Sequence, residues 1–200
     1  MKKPLREKPI IFLDIETTGL DPTHHEIIEV ATRSVGGFGH RVHKLWSIRI
    51  KPKHIERAHP KALEINGYNE VDWEGAPTIE EVVPLIREHL RGGVLCGHNI
   101  KFDVGFIKQA YEDHSDRGMG FHHTIDTVTL AYEHLAPLGL DSLSLHNICN
   151  FLGISNDGEH TAAADVDRCY KVYRKLTRAG TLDRLKWRWD NAMRGKLKRG

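Results

Sequence analysis

The sequence predicts an α/β fold in which a mixed five-stranded sheet is flanked by helices. Two observations lead to this prediction: β-rich runs dominate the first 50 residues, and helical patterns then alternate with short apolar runs as far as residue 179. A meander followed by alternating strands and helices indicates that one sheet contains both antiparallel and parallel strands. The 200 residues are 40% hydrophobic and 28% charged, which is the composition of an ordinary globular domain and excludes disordered and fibrous chains.

The first three strands are predicted from β-prone runs near the N-terminus. Residues 10–13 are continuously apolar, which favours a strand buried on both faces. Residues 27–35 and 42–50 are two further β-rich runs, and the glycine-rich segment 36–39 between them is a hairpin signal. A three-stranded meander is therefore expected.

Helices and two short strands are predicted in the rest of the chain. Thr78 followed by Glu81 is a capping-box pattern, which marks the start of a helix. Apolar residues recur at helical spacing in four later segments, and short β-prone runs lie between the earlier ones. The predicted helices are 102–111, 127–134, 142–152 and 161–179, and the predicted strands are 94–96 and 124–126.

Cysteine usage and hydropathy indicate a cytoplasmic protein. The three cysteines are Cys96, Cys149 and Cys169, an odd number without a CxxC pair, so neither a disulfide framework nor a zinc site of paired cysteines is expected. The apolar run near the N-terminus ends at Asp14, before it reaches the length of a signal sequence. No stretch approaches the ~20 apolar residues of a membrane span.

Acidic residues occur at positions that the pattern assigns to the interior. Asp14 and Glu16 are two residues apart at the end of the first strand, so both side chains point to the same face of the sheet. Helical spacing aligns Asp103 with Phe106 and Ile107, and likewise places Asp165 on the apolar side of its helix. Four carboxylates are therefore expected to converge inside the protein.

Converging buried carboxylates require positive charge, because an unpaired buried charge costs several kcal/mol. The sequence offers no Arg or Lys on these apolar stripes, whereas Mg²⁺ and Mn²⁺ prefer oxygen ligands. Two such ions in a carboxylate cluster clamp the attacking and leaving oxygens in phosphoryl transfer. His160 precedes the helix of Asp165, and an imidazole there is suited to accept a proton from the attacking water.

Each of these residues also has a purely structural interpretation. Asp14 and Asp103 are suited to turns or helix caps, and Asp165 to the first turn of a helix, where the macrodipole favours negative charge. His160 is one of 14 histidines. Asp126 is interpreted as the N-cap of the following helix. The His24–His25 and His122–His123 pairs lack zinc-ligand spacing and are assigned to surface loops.

Three segments together resemble a known family. Residues 12–20 (FLDIETTGL), 97–103 (GHNIKFD) and 160–165 (HTAAAD) are similar to the three exonuclease motifs of DEDDh-type, DnaQ-like 3'-5' exonucleases. This family includes the proofreading epsilon subunit of bacterial DNA polymerase III and ribonuclease T. The resemblance covers about residues 9–178 and implies a ribonuclease H-like fold, with residues 1–180 as the exonuclease domain and 181–200 as a basic tail.

The resemblance also implies roles for individual residues. By position, the metal-binding acids would be Asp14, Glu16, Asp103 and Asp165, holding two Mg²⁺ or Mn²⁺ ions, and His160 would be the general base. A second group of residues falls where the family contacts the terminal nucleotide. That group is Thr17, Leu20, Leu63, Asn66, Asn99 and Phe102.

The activity implied by the resemblance is release of nucleoside monophosphates from 3' ends. Nothing in the motifs distinguishes DNA from RNA, and single-stranded DNA is the leading hypothesis for the substrate. Two alternatives stay open: the same chemistry on RNA ends, as in ribonuclease T or oligoribonuclease, and a non-catalytic module that binds nucleic acid or a polymerase. Between Arg184 and Gly200, seven Lys or Arg residues accompany a single acid and the tryptophans Trp187 and Trp189. This tail is interpreted as a contact to nucleic acid or a DNA polymerase partner, as a solvated terminus, or as a helix that packs its tryptophans on the body.

Overall fold

The computed structural model describes residues 4–36, 45–114, 123–156 and 161–197. Its centre is a five-stranded mixed sheet, as predicted, with strand order β3-β2-β1-β4-β5. The first three strands pair antiparallel, whereas β4 and β5 run parallel to β1. The strands are β1 (Ile10–Thr17), β2 (Ile27–Val35), β3 (Trp46–Arg49), β4 (Val94–Gly97) and β5 (Thr124–Asp126).

Eight helices are described around the sheet. They are α1 (Pro60–Ile65), α2 (Glu70–Trp73), α3 (Ile79–Leu90), α4 (Lys101–Asp113), α5 (Thr127–Leu135), α6 (Leu145–Leu152), α7 (Ala162–Arg178) and α8 (Thr181–Leu197). Short 3-10 turns cover Leu5–Glu7, Ile55–Arg57 and Ala136–Leu138. The predicted hairpin segment between β2 and β3 lies mostly outside the described residues, since residues 37–44 are not described.

Alternation along β1 divides the core into two layers and fixes where its acids point. Ile11, Leu13 and Ile15 pack in one cluster with α3 and α4, while Ile10 and Phe12 pack in another with α7. Since successive side chains of a strand point to opposite faces, Asp14 and Glu16 share the face of Phe12, toward α7. The rings of Tyr170 and Tyr173 on α7 lie edge-on to Phe12 at 5.4 Å.

Side-chain caps fix the starts of several helices where the sequence predicts them. The Thr161 hydroxyl accepts a hydrogen bond from Ala164 N (3.2 Å), which starts α7. The Glu81 carboxylate accepts from Thr78 N (2.8 Å), one half of the predicted capping box. Asp126 accepts from Val128 N (2.9 Å), which confirms its prediction as the N-cap of α5. Such caps satisfy backbone donors that a helix leaves unpaired.

The C-terminal helix α8 belongs to a third apolar cluster. Trp187 is only 7% exposed and packs with Leu135, Phe151 and Leu176 of α5, α6 and α7. Trp189 is 68% exposed, so the two tryptophans of the tail have different environments. The interpretation of the tail as a helix packed on the body is confirmed for Trp187 and is wrong for Trp189.

All three cysteines are buried free thiols, which agrees with the expected lack of disulfides. Among the described helices, none combines the length and the apolar character that crossing a bilayer would require.

Replacing Trp187 tests whether α8 is part of the folded body. Trp187→Ala should lower the free energy of unfolding by about 3 kcal/mol, because a large buried side chain leaves a cavity. Trp189→Ala is the matched control and should change it by less than about 0.5 kcal/mol. Urea denaturation followed by circular dichroism measures both values. Equal effects of the two substitutions would show that α8 does not pack as described.

Candidate active site

The site is built at the end of the central strand. Asp14 and Glu16 are the last acidic residues of β1, and their cross-strand partners on β2 are Ala31 and Glu29. The register shifts between Glu16 and Thr17, an irregularity of the kind that re-aims side chains beside functional sites. Both carboxylates therefore project from the same face at the point where regular pairing ends.

The first turn of α7 brings a third acid to the same place. Carboxylate oxygens of Asp14, Glu16 and Asp165 all lie within 4.8 Å of one another, and each of these residues is partly buried. The packing of Ala162 and Val166 in the cluster of Phe12 holds this end of α7 close to β1. The predicted convergence of these three acids is confirmed.

Asp103 reaches the cluster from the opposite layer. It lies in the first turn of α4, is 3% exposed, and accepts a hydrogen bond from the backbone N–H of Ile15 (3.1 Å). Ile15 lies between Asp14 and Glu16 in β1, so this hydrogen bond holds the Asp103 carboxylate beside those two acids. The predicted inward orientation of Asp103 is confirmed.

The crowding of these acids perturbs their ionisation. Burial raises the pKa of Asp14 well above its ordinary value, and the neighbouring Asp103, Asp165 and Glu16 raise it further. Burial, followed by the charges of Asp165 and Glu29, raises the pKa of Glu16 to about 8. Burial also raises the pKa of Asp103 to about 8, against backbone hydrogen bonds that lower it. Without added cations Asp14, Glu16 and Asp103 therefore favour their protonated forms at neutral pH.

An arginine also contacts the cluster, contrary to the expectation that the chain supplies no cation there. Arg168 lies one turn after Asp165 on α7, is 7% exposed, and donates from Nη1 to Asp165 Oδ1 at 2.6 Å. Its Nη2 donates to the carbonyl oxygen of Asn156 at 3.2 Å. The prediction failed because position 168, three residues after Asp165 and four before Val172, lies at the edge of the buried face of α7, from which the side chain reaches back to the acid.

The donor set fits a hard divalent cation. All three clustered donors are carboxylate oxygens, the ligands that Mg²⁺ and Mn²⁺ prefer. One guanidinium pairs with only one of the four acids, and burial raises the pKa of Asp14, Glu16 and Asp103, so ionisation of these acids is favoured only when further positive charge enters the site.

A buried glutamate next to the cluster was not predicted from the sequence. Glu29 is 6% exposed, lies directly opposite Glu16 in the sheet, and accepts a hydrogen bond from the Ser47 hydroxyl (2.8 Å). Its place among the apolar residues of β2 was the available signal, since an acid inside a buried strand needs a partner.

Two of the predicted nucleotide-contacting residues are brought together. Thr17 is buried, and its hydroxyl donates to the carbonyl oxygen of Gly19 at 2.6 Å. The Asn66 amide at the C-terminus of α1 donates to the carbonyl oxygen of Thr17 at 2.8 Å. These bonds fasten the turn after β1 to α1, beside the acids.

The other four predicted contact residues have varied environments. Leu20 is 83% exposed, and Asn99 is exposed with a positive φ of 58° while its backbone N–H donates to Asp126 (3.1 Å). Leu63 on α1 is half-buried. Phe102 is half-buried, with its ring centroid 5.0 Å from that of Phe106, so it serves the core as well.

The predicted general base, His160, lies outside the described residues, which resume at Thr161. Among the histidine pairs, His24 is exposed and contacts Asp21 Oδ2 at 3.1 Å, in agreement with its assignment to a surface loop. His122 is not described.

Comparisons with known proteins agree with this geometry. The exonuclease family model RNase T matches residues 11–173. The PolC-type DNA polymerase III of Clostridium perfringens is 34% identical over 157 residues, which are 78% of this chain and 10% of that protein. DNA polymerase III subunit epsilon of Aquifex aeolicus is 28% identical over 178 residues, which are 88% of this chain and 84% of that subunit. The chain therefore spans about a tenth of the length of the PolC-type relative.

Solved structures share the fold. E. coli exonuclease I in complex with a dT13 oligonucleotide has a TM-score of 0.73 at 17% identity, over 86% of this chain and 41% of that one. Exonuclease I of Methylocaldum szegediense has a TM-score of 0.72 at 20% identity, over 89% of this chain and 42% of that one. These structures support the ribonuclease H-like fold. The family model spans the sheet and also the four acids Asp14, Glu16, Asp103 and Asp165. The chain therefore belongs to the RNase T family of exonucleases.

Proposed function

We propose that this protein is a two-metal-ion 3'-5' exonuclease that releases nucleoside monophosphates from the 3' ends of single-stranded DNA. The observation that carries the proposal is the set of Asp14, Glu16 and Asp165 carboxylates within 4.8 Å, with Asp103 fixed beside them. Membership of the exonuclease family supports the same conclusion.

Each acid has a distinct role in this proposal. Asp14, Glu16 and Asp165 would hold Mg²⁺ or Mn²⁺, with Asp103 completing the anionic site from α4. Bound ions would supply Lewis-acid activation of the phosphodiester and charge neutralisation during displacement. The protein's own contribution is to hold the carboxylates rigidly on β1, α4 and α7, so that no reorganisation is needed during the reaction.

His160 is proposed as the general base. The oxygen of a water forms a bond to the terminal phosphorus, its proton passes to the His160 imidazole, and the bond from phosphorus to the upstream 3' oxygen breaks. The departing oxygen takes up a proton from solvent. The products are a 5'-mononucleotide and a strand shortened by one residue.

The terminal nucleotide is proposed to lie against the turn after β1. Thr17 and Asn66 are already linked by a 2.8 Å hydrogen bond at this point. Leu20, Leu63, Asn99 and Phe102 would complete its surroundings, with exposed Leu20 available to contact an unstacked base.

DNA is the proposed substrate because the relatives named above are DNA polymerase III proteins and one related structure holds a dT13 oligonucleotide. By the same likeness to the epsilon subunit, a role in proofreading or repair and association with a DNA polymerase are proposed. RNA-end hydrolysis is the competing outcome of the following experiment.

Digestion of end-labelled strands tests the activity. Wild-type protein with Mn²⁺ should shorten 5'-labelled single-stranded DNA stepwise and release labelled mononucleotide at once from 3'-labelled DNA. Asp14→Asn should lower the rate by about 10³-fold, because a metal ligand is lost at the centre of the cluster. Asp141→Asn, an exposed acid far from β1 in the chain, is the matched control and should retain the wild-type rate.

Three results would overturn parts of the proposal. Faster shortening of RNA than of DNA would assign the substrate to RNA. Release of label from the 5' end first would reverse the polarity. Ordinary hydrolysis by the Asp14→Asn variant would remove the carboxylate cluster from the mechanism.

Arg168 is expected to compete with metal ions for Asp165. Without divalent cations, Arg168→Met should lower the free energy of unfolding by about 2 kcal/mol, because a largely buried charge pair is broken while Asp165 keeps partial access to solvent. With Mn²⁺ the same variant should bind the ion at least about tenfold more tightly, a gain of about 1.4 kcal/mol. Thermal melts in EDTA and in Mn²⁺ measure both effects.

Lys108→Met, an exposed cation on α4, is the control and should alter neither quantity. Weaker Mn²⁺ binding by Arg168→Met would contradict competition and would instead make Arg168 a residue that positions Asp165 for the ion.

A further inference from the structure

A basic groove of about 670 Å³ is lined mainly by residues of α7 and α8. Its walls come from α7, the end of α6 and the inner face of α8, with one residue from β2. The charged lining comprises six cations and three acids: Arg33, Lys171, Arg174, Lys175, Arg178 and Lys186, with Asp167, Asp183 and Asp190. This excess of three positive charges in one groove exceeds the formal net charge of +2 for the whole chain.

The cations of α7 form one continuous stripe. Lys171, Arg174 and Arg178 follow at intervals of three and four residues, which places them on successive turns of the same helix face. They therefore recur about every 5 Å along the groove. A row of evenly spaced positive charges suits an extended polyanion better than a single small anion.

Internal ion pairs neutralise only part of this charge. Asp167 is shared by Arg33 and by Lys171, whose Nζ lies 2.6 Å from Asp167 Oδ2. Lys175 donates to the carbonyl oxygen of Leu152 at 2.8 Å. Arg174 and Lys186 are exposed, and within the described part of the chain neither enters an ion pair.

The aromatic residues of the groove are mostly engaged in packing, since Phe151 is buried and Tyr170 is half-buried. Trp187 is buried in the apolar cluster beneath α8. Tyr170 packs against Phe12, and the Arg33 guanidinium lies 5.5 Å from the centre of its ring. Contacts made here would therefore reach phosphates and not bases, which makes them independent of sequence.

The groove shares helix α7 with Asp165 of the acid cluster. Lys171 follows Asp165 by six residues, a rise of about 9 Å along α7, and Arg178 lies about 20 Å along the same helix. Since a helix turns by about 100° per residue, Lys171, Arg174 and Arg178 lie on the other side of α7 from Asp165. A strand whose 3' end lies at Asp14 and Asp165 would therefore cross α7 to reach the groove.

We infer that this groove is a second binding site, which holds the phosphodiester backbone of the nucleic acid upstream of the 3' end. The inference rests on the proposed exonuclease function for the identity of its ligand. The basic tail thus contributes through Lys186, a residue of the groove, and not through stacking by Trp187.

Charge reversal in the groove tests this inference. The double variant Arg174→Glu/Lys186→Glu removes two exposed cations, and Arg91→Glu/Lys108→Glu makes the same charge change at exposed positions elsewhere. Binding of a fluorescent 20-mer of dT is measured by anisotropy in EDTA, so that hydrolysis does not interfere, between 50 and about 300 mM salt. The groove variant should bind the 20-mer at least about tenfold more weakly. Its salt slope, the fall in the logarithm of the binding constant with the logarithm of salt concentration, should decrease in magnitude by about 1.4, which is about 0.7 for each lost phosphate contact.

Hydrolysis separates this site from the catalytic centre. A dinucleotide has one phosphate, the scissile one, so it leaves none for the groove. In Mn²⁺ the groove variant should lose at least about tenfold more kcat/KM on the 20-mer than on the dinucleotide, while the control variant keeps the wild-type ratio. Equal losses on both substrates, or a salt slope equal to that of the control, would overturn the inference.

Failure of the proposed function would look different. A wild-type protein that hydrolyses neither substrate but shows a groove-dependent salt slope would refute the exonuclease and retain the groove. A competition experiment with polyglutamate of equal length tests the nature of the ligand. If polyglutamate displaces the 20-mer at concentrations where added salt alone does not, the groove is assigned to an acidic protein and the nucleic-acid ligand is overturned.

Discussion

The constraint on which the site depends is the mutual repulsion of carboxylates that the fold forces together. β1 carries Asp14 and Glu16 on one face, α7 presses Asp165 against them, and α4 fixes Asp103 by a bond to the backbone of β1. In the metal-free protein this repulsion is relieved by protons, since burial raises the pKa of Glu16 and Asp103 to about 8. The folded state then binds more protons than the unfolded chain, so these acids make the metal-free fold less stable as pH rises from about 4 to 8.

The rest of the architecture serves this juxtaposition. The odd positions Ile11, Leu13 and Ile15 of β1 are apolar and join the layer of α3 and α4, which leaves the even positions free to face α7. Near the end of β1 those even positions change from Ile10 and Phe12 to Asp14 and Glu16. Small residues at the start of α7 allow that helix to approach, and Arg168 supplies one internal cation that offsets part of the negative charge. The negative charge of the carboxylates is therefore offset by protons, by one guanidinium and, in the proposed active state, by divalent ions.

Local patterns in the sequence predicted the sheet, the helix caps and the convergence of the acids, because these depend on periodicity over a few residues. The same patterns missed Arg168, which lies at the edge of the buried face of α7 and reaches back to Asp165 with its long side chain. They also left the tail ambiguous: Trp187 and Trp189 are two residues apart, and only the packing of α5, α6 and α7 makes one of them core. Glu29 was missed because its relation to Glu16 depends on the pairing register of β1 and β2.

The central claim is that the acid cluster exchanges protons for divalent cations. Calorimetric titration of the metal-free protein with Mn²⁺ at pH 7, in buffers of different ionisation enthalpy, tests it most directly. The account predicts heat of binding with release of protons to the buffer, and less release as the pH is raised toward 9, because Glu16 and Asp103 are then already ionised. Absence of binding heat, or binding that releases no protons at pH 7, would contradict it.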